Sequence, residues 1–204
     1  NMDRQQVTLL NILISLTLQI ISPSFALNHF FIPEREELFS ECLDKPGFSY
    51  VNELADLSRF NRKKDADGAM NISGNITMLW DVEPSNRVAV EVNIEKFEGG
   101  TWNPTLFKGG DKDFCKNFYD KNTIYYPFST KHVINKQQVK DKCITTPGTV
   151  LVLEPFILKI LINFAVPLSP GIHKAVIIFS AFDKSGVKRP RDTCIEIVGE
   201  IVNI

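Results

Sequence analysis

Two stretches of strict alternation constrain this chain more than any other feature. In the first, Met70, Ile72, Gly74, Ile76, Met78 and Trp80 share one parity, and Asn71, Ser73, Asn75, Thr77 and Leu79 share the other. In the second, from Arg87 to Phe97, Val88, Val90, Val92 and Ile94 alternate with Glu91, Asn93 and Glu95. A period of two puts one set on the core face of a sheet and the other in water. Each stretch therefore predicts a strand, and the turn at Pro84-Ser85-Asn86 makes the second the hairpin partner of the first.

The rest of the chain follows the same pattern. Val150, Val152, Phe156, Leu158, Ile160, Ile162, Phe164 and Val166 share a parity broken only by Glu154, and Pro155 predicts two strands meeting there. Ser169-Pro170-Gly171 is a turn, Lys174–Phe182 a buried strand, Asp183–Gly186 a hairpin turn, and Thr193–Ile204 the last strand. Phe48–Arg62 fits a helix face and a bent strand about equally. The turn-like Asp65-Ala66-Asp67-Gly68 after it favours a strand. Gly99-Gly100 and Gly109-Gly110 bracket a predicted loop that lacks the order of a phosphate-binding loop. One or two short helices are predicted in the 111–142 connection, at Lys112–Asp120 and Val133–Lys142. Many short strands and few helices predict an all-β, two-sheet antiparallel sandwich.

The N-terminal stretch reads as an export signal. Val7–Ile21 is an apolar block of signal-peptide length, and Ser22-Pro23-Ser24-Phe25-Ala26 ends in small residues at the positions a signal peptidase requires. Residues 1–26 are expected to be removed after Ala26, leaving 27–204 as a single secreted, extracellular domain. Val150–Leu168 comes closest to a later bilayer span, but Glu154, Pro155, Lys159 and Asn163 interrupt it, so an integral membrane protein is not expected. A formal net charge of −1 without a basic tract leaves no footprint for nucleic acid.

Four cysteines in an exported chain predict two disulfides, with three pairings open. The wide spacing of Cys42, Cys115, Cys143 and Cys194 and the lack of a C-x-x-C pair argue against zinc. Asn71-Ile72-Ser73 and Asn75-Ile76-Thr77 are glycosylation acceptors whose asparagines, Asn71 and Asn75, fall on the polar side of their strand.

Candidates for chemistry are few. His29, His132 and His173 lie in unlike contexts with no catalytic signature, so they read as surface or strand histidines. A hydrolase would need His132 or His173 beside a Ser or Asp in the folded chain. Lys131, Lys136, Lys140 and Lys142 suit a solvated face better than a head-group site. The aromatics of Asp113–Gly148 suit either the entrance to an apolar pocket or core beneath a long loop.

Cys143-Ile144 followed by Pro147-Gly148-Thr149, and then FAVPLSPGIHKAVIIFSAFDKSGVKRPRDTCIEIVGEI, resemble the C-terminal half of the ML (lipid-recognition) domains. There a C-P-x-x-K/P-G step leads into paired strands, a P-G-x-Y turn and a closing strand with the last cysteine. The upstream WNPTLFKGGDKDFCKNFYDKNTIYYPF resembles the insect branch of that superfamily, the secreted chemosensory CheA/CheB-like proteins related to the ganglioside activator. The similarity spans Cys42 to Ile204.

The resemblance implies an immunoglobulin-like sandwich whose sheets splay around an apolar cavity. It also implies that Cys42 pairs with Cys194, and Cys115 with Cys143. The function it implies is non-enzymatic binding of a lipid or other apolar small molecule, in insect chemosensation such as pheromone perception, with no cofactor or metal. Candidate lining residues are Val90 and Val92; Phe114, Phe118, Tyr126 and Phe128; Phe156, Leu158, Ile160, Ile162 and Phe164; and Phe179. The alternative is an extracellular protein-interaction module with a filled core, acting at a membrane receptor.

Overall fold

The computed structural model describes residues 27–164 and 168–203, without the side chains of Leu27, Asn28, Asn163, Phe164 and Asn203. The expected export signal and Val166 lie outside the described residues, as does the side chain of Phe164.

The chain is all-β, with two antiparallel sheets and a few single-turn helices. One sheet holds β1 (Leu27–Pro33), β6 (Arg87–Glu98), β7 (Thr101–Asp111), β9 (Ile160–Phe164), β10 (Gly171–Phe182) and β11 (Thr193–Asn203) in the order β7-β6-β10-β11-β1-β9. The short β2 (Ser40–Glu41) also pairs with β11. The smaller sheet is centred on β5 (Met70–Met78). β3 (Ala55–Asp56) and β4 (Phe60–Lys64) run one after the other along one side of it, and β8 (Val150–Leu158) runs along the other. Helices α1 (Val51–Leu54), α2 (Phe114–Asn117) and α3 (Lys136–Val139) lie in the connections.

The alternating stretches do form strands, but β5 and β6 do not pair. They belong to different sheets, and β6 forms its hairpin with β7. Both strands have an apolar face, and facing each other across the sandwich buries both faces. A shared sheet would set those faces side by side instead. Trp80 and Val82, 7% and 9% exposed, fill the crossing between them.

The predicted loop between the glycine pairs is edge strand β7. Gly99 (φ +63°) and Gly100 (φ +82°) form the two-residue turn that joins paired Glu98 and Thr101. Successive positive φ values at this position match the twist of the two strands. Pro104 is tolerated because its missing N–H faces the open edge. Gly109 lies under the ring of Phe107, which a Cβ there would meet at 2.9 Å.

Between Phe48 and Arg62 the predicted strand is interrupted. Val51–Leu54 makes one helical turn that buries Val51 and Leu54, and strand pairing starts only at Ala55. The long apolar stretch also breaks elsewhere than at Pro155. β8 runs through Pro155 with a bulge, since Ile72 pairs with Phe156 while Gly74 pairs with Leu153. The extra residue exchanges the parities: Leu151 and Leu153 are buried before it, and Phe156 and Leu158 pack on the core after it. The chain then passes into the other sheet at Lys159.

On the outer face of the larger sheet Cys42 is bonded to Cys194 (Cα–Cα 5.9 Å), and this disulfide packs with Val176, Phe48 and Ile178. Beside it Lys174, 4% exposed, brings its Nζ to 2.8 Å from Glu196 Oε1 and 3.3 Å from Glu95 Oε2. The Trp102 ring lies 5.2 Å from that Nζ. Burial alone would lower the Lys174 pKa, but its bonds to Glu196 and Glu95 outweigh burial and raise it.

Candidate ligand-binding site

The inner faces of the two sheets carry the core, yet they do not close on each other throughout. At one end Val88 and Ala181 are 0% exposed, and Ile195, Ile197 and Ile201 seal β11. Between these, Val92 on β6 and Ala175, Ile177 and Phe179 on β10 stay only half-buried, although both strands lie inside the sheet. Register makes them neighbours: Ile177 pairs with Val92, and Phe179 pairs with Val90. Phe107 beside them, Ile76, Phe156 and Leu158 on the facing sheet, and Ile160 are half-buried too, and all pack on the same core. An inward side chain on an interior strand meets solvent only where the facing sheet stands away from it. The half-buried strip therefore marks a line along which the sandwich is incompletely filled.

The candidate residues separate into three groups. Val92, Phe156, Leu158, Ile160 and Phe179 lie on the strip. Val90 and Ile162, 7% and 6% exposed, belong to the closed core next to it. Phe114 and Phe118, 8% and 5% exposed, are core as well, and form a plug at one end of the strip. The Phe114 ring is 5.5 Å from Phe179, 5.2 Å from Phe118 and 5.1 Å from Tyr125. Tyr126 and Phe128 are half-buried on the 3₁₀ turn Tyr126–Phe128 and lie outside the packed core, so the structure does not bring them together with Phe114.

The plug is fixed from both ends. The Cys115–Cys143 disulfide ties α2 to the turn before β8. Asp111 Oδ1 accepts from the Asp113 N–H at 2.8 Å and from Asn117 Nδ2 at 3.0 Å. The Tyr125 hydroxyl donates to the Asn117 carbonyl at 3.0 Å. Burial, with the Asp111 carboxylate beside it, pushes that hydroxyl above its ordinary pKa. Burial raises Tyr119 to about 12. Both therefore stay neutral and act as packing groups.

Residues 126–136 form a strap over the free edge of β8. Val133 bridges to Leu153, and the Ile134 N–H donates to the Val152 carbonyl at 2.9 Å. Asn135 Nδ2 donates to the Val150 carbonyl at 2.8 Å, and the Val152 N–H donates to Asn135 Oδ1 at 3.0 Å. Capping of this kind keeps a strand edge from templating another chain. His132 ends the capped segment. Its ring stacks on Phe156 (centroids 3.7 Å apart, planes at 4°), with Nδ1 2.9 Å from Glu154 Oε1 and Nε2 3.1 Å from the Pro127 carbonyl. Sequence alone does not single out His132, because Glu154 and Phe156 reach it only once the strap lies on β8.

His173 lies on the inner face of β10, fully buried. Its Nδ1 donates to the Gly171 carbonyl at 2.9 Å. Burial lowers its pKa, with Lys96 and His29 adding to the effect against the Gly171 bond, so the ring is neutral near pH 7. Neither His132 nor His173 is hydrogen-bonded to a serine hydroxyl among the described residues. Among those residues no His, Cys, Asp and Glu side chains are grouped to hold a metal ion, and no helix is long and apolar enough to cross a membrane. Lys131, Lys140 and Lys142 are exposed, and the Lys136 ammonium sits 4.6 Å from the Tyr119 ring. On the outer face of β5 Asn71 is exposed and Asn75 half-buried. No protein-family model and no curated protein matches this chain.

Proposed function

We propose that this chain is a secreted, non-enzymatic carrier of a lipid or other apolar small molecule, built as an ML-type sandwich that holds its ligand between the sheets. The half-buried strip on the inner faces of β6, β10 and β8 carries this reading, because such a strip offers apolar surface without filling it. Each ligand methylene moved from water onto it contributes about 0.8 kcal/mol, so affinity grows with chain length and needs few polar contacts. A role in insect chemosensation, with a pheromone as the ligand, rests on the sequence resemblance from Trp102 to Phe128.

Native mass spectrometry of the secreted protein is expected to show a bound apolar molecule, and the emptied protein is expected to take up the neutral fluorescent probe N-phenyl-1-naphthylamine. Absence of both would falsify the carrier reading. It would favour an extracellular interaction module acting at a receptor, for which exposed Ile32, Ile172 and Phe97 on the outer face of the larger sheet are the supporting observation.

A further inference from the structure

We propose that His132 is a proton-operated latch, holding the strap 126–136 against the mouth of the inter-sheet space when its ring is protonated and loosening it when the ring is neutral. This rests on the reading that the space holds an apolar ligand. Phe156 has inner-face parity on β8, pairing with buried Ile72, and is a lining candidate. The imidazole stacked on it therefore stands where the space meets the strap.

Both ring nitrogens face groups that only accept. Nδ1 is 2.9 Å from a Glu154 carboxylate oxygen, and Nε2 is 3.1 Å from the Pro127 carbonyl oxygen. The imidazolium donates to both at once and thereby joins β8 to the turn that carries Tyr126 and Phe128. A neutral ring has one N–H, so one of the two contacts becomes a lone pair facing an acceptor at about 3 Å. No other charged group shares this role. Glu154 is the one ionisable residue of β8, Lys131 is exposed, and Lys136 is turned towards Tyr119.

The latch predicts that bound ligand is retained at low pH and exchanged faster as pH rises. The test follows transfer of N-phenyl-1-naphthylamine from the protein to excess phosphatidylcholine vesicles between pH 5 and pH 8, the span over which histidine side chains change charge. Wild type is expected to release about tenfold faster at pH 8, the loss of one charge-assisted hydrogen bond. His132→Phe keeps the stacking but neither bond, and should release fast at both pH values. Glu154→Gln should release slowly at both, since the amide can turn its NH2 to Nδ1 of a neutral ring while Nε2–H serves Pro127. A wild-type rate that ignores pH, or a His132→Phe protein that keeps the pH dependence, overturns the latch.

If the probe never binds, the carrier reading fails separately, and amide exchange of the ligand-free protein decides the latch. The protection factor of the Ile134 N–H must then fall from pH 5 to pH 8 in wild type and hold steady in Glu154→Gln. An unchanged wild-type value rejects it.

Discussion

On the outer face of β10, Lys174 and Val176 are 4% and 1% exposed, while Ala175 and Ile177 on its inner face remain half-buried. In a filled sandwich the order would be reversed, with inward apolar residues dry and outward charged ones wet. Around Lys174 and Val176 the outer face is sealed by what crosses it: the Cys42–Cys194 disulfide, the Trp102 ring and the carboxylates of Glu95 and Glu196. The inner face has no such cover along the strip, where Val92, Ala175, Ile177 and Phe179 stay half-buried. A sheet whose back is tied in this way can leave part of its front unfilled and still keep its shape.

The comparison can be tested by breaking the sealed side. Removing the outer staple, Cys42→Ser with Cys194→Ser, is expected to have the largest effect. The 152-residue separation of the pair corresponds to about 5 kcal/mol on the chain-entropy model. Denaturant unfolding that shows less than about 2 kcal/mol lost would mean that other contacts seal the back. Lys174→Met comes next, at about 3 kcal/mol, because it leaves Glu196 and Glu95 close together and uncompensated. Thermal unfolding reads that loss, and a neutral result would show water reaching the cluster. The smallest effect sharpens the contrast most. Ile177→Trp should cost under about 1 kcal/mol, because the strip has room for the ring, and should abolish probe uptake. Val176→Trp, one residue away on the packed face, should cost about 1–3 kcal/mol through overpacking and leave uptake intact. Equal costs at the two positions would remove the distinction between the faces.

Particular residues show what sequence alone could reveal. Alternation located β5 and β6 because period two is a local property, but partner choice is not local, and the turn between them suggested a pairing that the fold does not make. The glycines flanking Trp102–Phe107 looked like loop punctuation. In the structure Gly99 and Gly100 make a hairpin turn, Gly109 makes room for the Phe107 ring of its own strand, and Gly110 makes room for the Val90 carbonyl of the neighbouring one. Cysteine spacing left three pairings open, and only the family resemblance singled out one. Exposure along β6 and β10 was beyond reach, because Val92 and Val88 have the same chemistry and differ only in what stands opposite them. The His132 contacts were hidden for the same reason, as Pro127, Glu154 and Phe156 converge only once the strap lies on β8.

The bulge at Glu154 and Pro155 works like a shift of reading frame in three dimensions. Upstream of it the odd-numbered residues look inward, and downstream the even-numbered ones do. If pairing ran on regularly through Glu154 and Pro155, with no surplus residue, the segment would keep every hydrophobic residue but fall out of phase. Ile157 and Leu161, 49% and 41% exposed now, would turn inward together with Lys159, while Phe156, Leu158 and Ile160 turned to water. Which side chains a ligand would meet is thus decided by a single surplus position, and the composition of the segment has no say in it.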